Sequence, residues 1–200
     1  MSVRRVLEWG GLLAGVVLIV FGIVAIWMGV DGRNTVRDSI KQEQIVFGDA
    51  ADPAVAKYAE QWAGKQVTNG EQARAFAKIM REHTLGSTDG LTYAQMGRFQ
   101  SAANPDDPKG TSDEAAAAQD ATGQPVANHA RDIWITETAL TTALNTSYMA
   151  EQLSLFGMVV GVALLLTGIG LVILALVVLG GVLREPATAP AGKATPLPTS

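Results

Sequence analysis

The segment "WGGLLAGVVLIVFGIVAIWMGV" (9–30) carries no charged side chain, and it decides the fold class of the chain. At about 1.5 Å per residue, a helix of this length matches the roughly 30 Å hydrocarbon core of a bilayer. A second uncharged segment, "LSLFGMVVGVALLLTGIGLVILALVVLGGVL" (153–183), is longer than a perpendicular crossing needs, so it must tilt or extend beyond the lipid. The sequence therefore predicts an all-α membrane protein, with two antiparallel transmembrane helices flanking a small helical extracytoplasmic domain.

A secretory signal peptide is the alternative interpretation of the first segment, because Arg4 and Arg5 precede its apolar run. The run is longer than the usual signal core, however, and no Ala-x-Ala cleavage motif follows it. Trp9 and Trp27 would also stand about 27 Å apart on a helix, which suits two interfacial anchors of a retained span. We therefore expect the span to be retained, and cleavage stays the open alternative.

The flanks of the two spans predict the orientation, since Lys and Arg close to a span favour the cytoplasm. The N-terminus (1–8) and the Pro- and Ala-rich tail (184–200) are expected in the cytoplasm, the tail as a disordered segment. Residues 31–152 are then extracytoplasmic, although basic residues just after the first span weaken this assignment. The protein is expected in the cell membrane, with interface anchors at Arg4, Arg5, Trp9, Trp27, Tyr148 and Arg184.

The extracytoplasmic region is acidic, with 11 Lys and Arg against 17 Asp and Glu, a formal charge of −6. This charge argues against a nucleic-acid partner and against docking onto anionic lipid headgroups, which polybasic segments perform. The chain has no cysteine, which removes disulfides, thiolate catalysis and sulfur-ligated metals. The outer domain must be held together by packing alone.

Helix start and stop signals divide the extracytoplasmic region into short helices. The predicted starts and stops are Asp52 with Pro53, ending at Gly64; a capping box of Thr68 with Glu71, ending at Gly86; a box of Thr92 with Gln95; and Thr111 with Glu114, ending near Gly123. A last helix is predicted to begin near Asn128 and to continue into the second span without a breaker.

That last helix is rich in Thr and Ser just outside the membrane, and these residues are ordinary or poor helix formers. Packing or solvation must therefore explain their density. A pattern of small residues lets another helix approach closely. The candidate positions for helix packing or partner contact are Gly11, Gly15, Ala139, Ala143, Thr146, Ala150, Gly157 and Gly161. They could pack the two spans of one chain together or contact another subunit.

Two stretches, "VTNGEQARAFAKIMREHTLGSTDGLTYAQMG" (67–97) and "ARDIWITETALTTALNTSYMAEQLSLFG" (130–157), carry a family resemblance. They resemble a family of small two-span membrane proteins of actinobacteria that is often called aromatic ring-opening dioxygenase LigA-like. The resemblance covers nearly the whole chain apart from its tails. It implies a cell-membrane protein with an extracytoplasmic insert, and it brings no motif of known chemistry.

The residues do not support a ring-opening dioxygenase, which needs a metal held typically by two His and a carboxylate, or by Tyr and His. The chain offers only His83 and His129, and a site that joins them to Glu82 or Asp132 is a remote alternative. No hydrolase elbow, phosphate loop, dinucleotide fingerprint or His-Glu-x-x-His motif is present. We therefore predict a non-catalytic protein without cofactor or metal.

Two functions fit these features. The first is an accessory or structural subunit, whose partners are membrane lipid and other membrane proteins or its own copies. The second is an extracytoplasmic ligand-binding or sensory module that signals laterally to a partner. Aromatic side chains would line a pocket in the second case and form the domain's own core in the first: Trp62, Phe76, Tyr93 and Trp134.

Overall fold

The computed structural model describes residues 3–179, and side chains within residues 6–177. The helices are α1 (Val3–Gln42), α2 (Pro53–Ala59), α3 (Gly70–Ser87) and α4 (His129–Ile173), which continues as a π-helical segment, Leu174–Leu179. Over this part the chain is all-helical, as the sequence predicts, with isolated bridges and no β-strand. The end of the second predicted span, the predicted disordered tail and the side chains of Arg4, Arg5 and Arg184 lie outside the described residues.

Two of these helices, α1 and α4, are long and apolar enough to cross a membrane. Trp9 and Trp27 on α1 are about two-thirds exposed, at 69% and 67%. The α1 helix does not end with its apolar run but continues to Gln42. It does so because Val36 and Ile40 pack into the core of the outer domain.

The chain divides into two compact units. The first consists of Met1–Val24 with Val160–Ser200, and the second is Ala25–Val159. The second unit contains all of the predicted outer domain together with short apolar lengths of both long helices.

In the first unit, glycines bring α1 and α4 together in antiparallel order. A Cβ added at Gly15 would lie 2.8 Å from the carbonyl oxygen of Gly168, and one added at Gly22 would lie 2.7 Å from that of Gly161. No side chain larger than hydrogen fits at these distances. The two backbones therefore approach as closely as small-residue helix pairs in membranes allow.

The second unit repeats this contact one heptad further along, where a Cβ added at Gly29 would lie 2.7 Å from the carbonyl oxygen of Ser154. Gly15, Gly22 and Gly29 are spaced by seven residues, as are Ser154, Gly161 and Gly168 on the facing helix. A repeat of seven is the spacing of left-handed helix pairs. Gly22, Gly29 and Gly168 were not among the predicted packing residues. Their spacing of seven residues from Gly15 on α1 and from Gly161 on α4 is nevertheless visible in the sequence.

The start of α2 is confirmed, since Asp52 caps the helix by accepting a hydrogen bond from the Ala54 N–H at 2.8 Å. The predicted Thr68 and Glu71 capping box is wrong. Asn69 caps α3 instead, because its side-chain oxygen accepts from the Gln72 N–H at 3.0 Å. The Gln72 side chain in turn accepts from the N–H and the hydroxyl of Thr68.

Three other local predictions meet different outcomes. The box of Thr92 with Gln95 is confirmed, but it opens only a single 3₁₀ turn. The alanine helix predicted from Thr111 to Gly123 is wrong beyond a 3₁₀ turn at Glu114–Ala116. The backbone around that turn bonds across to residues 100–102 instead of forming a helical ladder. The last helix begins where predicted, with the Asn128 side chain accepting from the Ala130 N–H.

Two hydrophobic clusters hold the outer domain. The larger joins α1, α2, α3 and α4, and its most buried members include Phe47, Val55 and Val67. The smaller one is built on Met96 and Trp134. The segment that follows Met96, residues 97–127, is irregular. It is fixed by isolated bridges and by the Asn128 side-chain amide, which donates to the carbonyls of residues 97 and 108.

We expect a disulfide to form readily between Gly11→Cys and Ala175→Cys, because a Cβ at Gly11 would lie 3.5 Å from the Ala175 Cβ, within the range of natural disulfides. The cysteine-free chain gives no background. Oxidation in detergent, followed by a gel-shift assay, measures the cross-link. The matched control pairs Gly10→Cys with Ala175→Cys, since a Cβ at Gly10 meets nothing within 4 Å. Equal cross-linking of the two pairs would contradict the helix pairing.

Candidate functional site

The carboxylate of Glu151 is a buried charge at the point where three segments of the second unit meet. Its Oε1 accepts hydrogen bonds from the Nε of Arg33 at 3.0 Å and of Arg37 at 2.7 Å. Its Oε2 accepts from the backbone N–H of Gly70, the first residue of α3, at 2.6 Å. The side chain is only 6% exposed. One carboxylate thus joins the extension of α1, the start of α3 and the part of α4 that precedes the second predicted span.

Gly70 is required in this arrangement because the start of α3 lies directly against α4. A Cβ at Gly70 would lie 2.8 Å from the Tyr148 Cα and 3.0 Å from the Glu151 Oε2. The Tyr148 ring lies under the guanidinium of Arg74, 4.6 Å from its centroid. The predicted interface anchor Tyr148 therefore packs within the outer domain. Its role at a membrane interface stays a prediction.

These hydrogen bonds decide the protonation of Glu151. Burial by itself would raise the pKa of the carboxyl, but the N–H of Gly70 and the two guanidinium groups favour the charged form more strongly, so the pKa lies below its usual 4.5. The sequence predicted no contact between Glu151, Arg33 and Arg37. Its only hint was that Arg33 and Glu151 each stand within three residues of an uncharged apolar run.

A second buried glutamate, Glu137, lies on α4 and is held much less firmly. Its side chain is 2% exposed, and the nearest cation is the guanidinium of Arg81, 3.7 Å from Oε2. Oε2 also accepts from the hydroxyl of Thr138 at 3.3 Å. Oε1 is buried and has no hydrogen-bond partner within the described residues. Glu137 is thus a weakly compensated charge, in contrast to Glu151.

Several hydroxyls in the hydroxyl-rich part of α4 hydrogen-bond to the preceding turn of the helix. Thr146 donates to the Thr142 carbonyl at 2.8 Å, Ser147 donates to that of Ala143 at 3.1 Å, and Ser154 donates to that of Ala150 at 3.0 Å. Such bonds to the preceding turn leave the hydroxyls without a need for water or for another partner. This part of the helix therefore presents mainly methyl groups and hydroxyls whose protons are already donated within the helix.

One face of this segment is turned away from the core of the domain. Ile135 and Met149 are exposed, at 55% and 70%, and the side chains between them on the same face are Ala139, Thr142 and Thr146. Residues 138–150 contain no charged residue at all. Exposed helix faces in water normally carry charge. We name the residues Ile135, Ala139, Thr142, Thr146 and Met149 the outward face.

The structure divides the predicted small-residue positions between different neighbours. Gly15 and Gly161 lie in the contact between α1 and α4, whereas a Cβ at Gly157 would meet nothing within 4 Å. Ala139 belongs to the outward face, and Ala143 instead lines a cavity beside α1 and α3. Thr146 is exposed and Ala150 is half-buried.

The four predicted aromatic residues do not share one pocket. Trp62 and Phe76 contact Phe47, with ring centroids 5.8 and 5.7 Å apart, in the larger cluster. Trp134 is buried in the smaller cluster, and its indole N–H donates to the Leu91 carbonyl at 2.9 Å. Tyr93 is 41% exposed under the guanidinium of Arg131. Most of these aromatics therefore serve the two clusters.

The residues of the remote metal-site alternative have separate partners. The His83 Nε2 lies 2.8 Å from the Oδ2 of Asp52, the cap of α2, while Glu82 pairs with Lys57. The His129 Nδ1 lies 4.0 Å from the Oδ2 of Asp132. Within the part of the chain that the structure describes, no three His, Asp or Glu side chains are grouped to hold a metal ion.

Comparison with known proteins adds no neighbour to these observations: no family model, no curated protein and no solved structure matches the chain. The family resemblance of the sequence therefore stays a prediction. The features that bear on function are those of the chain itself, above all the outward face and the buried charges of Glu137 and Glu151.

We expect Glu151→Gln to lower the free energy of unfolding by about 2–4 kcal/mol, because it breaks a buried ionic network. The glutamine amide has only one oxygen, so it cannot accept both from the arginines and from the Gly70 N–H. Glu137→Gln on the same helix is the matched control, with an expected change of about 1 kcal/mol or less, since its pairing is weak. Chemical denaturation in detergent measures both variants. Equal losses would show that the Glu151 network is not the stronger one.

Acid should unfold the protein partly through Glu151. A carboxyl whose pKa is lower in the folded state contributes stability above its unfolded value of 4.5, and this contribution is lost as the pH falls through the folded value. Melting temperatures measured between about pH 7 and pH 3 should therefore fall below about pH 4.5. The fall should be shallower in Glu151→Gln than in the exposed control Glu71→Gln. Parallel curves would contradict this assignment.

Proposed function

We propose that the protein is a non-catalytic integral membrane protein, an accessory or structural subunit that acts by contact with other membrane proteins or with its own copies. The observation that carries this proposal is the outward face of α4. It is exposed, free of charge and built of small and methyl-bearing side chains, and the Thr146 hydroxyl is already bonded within the helix. Such a surface suits the close approach of another helix.

The proposed contact extends toward the membrane through Gly157. On a helix, Gly157 falls close to the side of Thr146 and Ala150, and the space around its missing Cβ is open. Its neighbour in the predicted small-residue pair, Gly161, faces α1 instead. A partner helix could therefore lie against Ala139, Thr146 and Gly157 without disturbing the internal pairing.

We further propose that α1 and α4 cross the cell membrane with both termini in the cytoplasm. The length and apolar character of the two helices support the crossing. The basic residues before the first span support the orientation. The acidic outer domain would then lie outside the cytoplasm, beside other proteins of the envelope.

The test of the contact is purification of the tagged native protein in a gentle detergent, with mass spectrometry and a measured particle mass. We expect a stoichiometric partner or a defined oligomer, reduced at least tenfold by Gly157→Leu. Gly170→Leu is the matched control, because a Cβ there also meets nothing within 4 Å and the change adds the same bulk away from the outward face. A monomer without a partner, or equal loss in both variants, would overturn the proposal.

A further inference from the structure

A cavity of about 370 Å³ opens between the outer part of α1, α3 and α4. Its volume lies within the roughly 300–1,000 Å³ of small-molecule sites. Most of its wall is apolar, and the main contributors are Ile40, Ile45, Phe76, Met80, Leu140 and Leu144. Ile40 and Leu144 are buried members of the larger cluster, so the floor of the cavity is part of the core of the domain.

Water is a poor occupant of this cavity. At about 30 Å³ for each molecule, the space would hold about twelve waters, and an apolar wall offers them few hydrogen bonds. Replacing poorly ordered water by an apolar group is favourable. The wall therefore selects a ligand that is hydrocarbon over most of its surface.

The polar groups of the lining are acceptors. The Ser39 hydroxyl donates to the Thr35 carbonyl at 3.0 Å, and the Ser147 hydroxyl is likewise bonded to its own helix, so both oxygens retain only lone pairs. Glu43 is the one charged side chain of the lining. Within the described residues, its carboxylate has no ion-pair partner. The polar end of a ligand must therefore donate hydrogen bonds, and a positive charge there is favoured.

We propose that this cavity binds a small aliphatic amine, with its hydrocarbon chain among Ile40, Phe76 and Leu144 and its ammonium group at Glu43. The next cavity along α3 and α4 shares Met80 and is lined by Asp132 and Glu137, but each of these carboxylates has a basic group beside it, His129 or Arg81, so the preference for a cation rests on Glu43. The proposed site is independent of the outward face, so it can fail while the subunit proposal stands, and the reverse.

The test is protection of a single thiol introduced at the rim by Ser147→Cys into the otherwise cysteine-free chain. The full chain in nanodiscs reacts with a charged methanethiosulfonate reagent in the presence of n-butylamine, n-hexylamine or n-octylamine at measured free concentrations. Ala139→Cys is the matched control. It puts a thiol on the same helix, at the outward face and outside the cavity, where it reports any effect of the amine that does not come from the cavity.

We expect saturating n-octylamine to slow the reaction of the Ser147→Cys thiol at least fivefold and to leave that of Ala139→Cys unchanged. The half-protecting concentration should fall about fourfold for each added methylene until the cavity is full. Adding Glu43→Gln should raise the half-protecting concentration of the amine about two- to fivefold, as expected for an exposed charge. The half-protecting concentration of 1-octanol should stay unchanged. No protection, or equal protection of both thiols, would overturn the site, and equal binding of alcohol and amine would overturn its cationic specificity.

Discussion

The arrangement of the outer domain depends on one carboxylate, that of Glu151, which is removed from water and surrounded by two guanidinium groups and one backbone N–H. A buried charge is costly unless its partners are placed with good geometry, as they are around Glu151. This requirement fixes the rotation of α4 about its axis, the position of α1 beside it and the residue at which α3 begins. Gly70 is the corresponding constraint on the backbone, since a side chain there would displace the carboxylate that its N–H must reach.

The close approach of α1 and α4 is a second constraint, and it is present in each of the two units. Heptad-spaced glycines remove side chains from the contact, so that backbone atoms meet directly. In the proposed membrane arrangement, lipid would give little hydrophobic drive for helices to associate, and tight van der Waals contact would be the main remaining source of attraction. Beyond Gly29 the paired side chains change character: charged pairs at Arg33 and Arg37 follow, and then apolar contact at Ile40 and Leu144.

Local chemistry could be predicted from the sequence where the signal and its partner lie within a few residues. Asp52 before Pro53, the pair of Thr92 and Gln95, and the start of α4 at Asn128 are of this kind. The Thr68 box failed because Asn69 offers a competing cap one residue later. The alanine-rich stretch after Thr111 failed because its backbone found long-range partners, which propensity does not register.

The site residues followed the same division. The uncharged run 138–150 is visible in the sequence, but the sequence alone did not separate Ala139 on the outward face from Ala143 in the cavity wall. The link of Glu151 to Arg33 spans 118 residues, so no local pattern announces it. Only the packing of α1 against α4 brings these two charges together.

The hydroxyls of α4 that bond to its own backbone also bear on how the protein would respond to bilayer thickness in the proposed membrane arrangement. In a thicker bilayer, the stretch between Thr138 and Ala150 could be drawn into the lipid on its outward face without burying a charge, and the Thr146 hydroxyl would keep its bond to the Thr142 carbonyl. On α1, Asp31 and Arg33 stand directly at the end of the apolar run and resist such immersion. Hydrophobic mismatch would therefore act unequally on the two helices. It would be absorbed by α4 and opposed by α1, and the stress would concentrate where Arg33 meets Glu151.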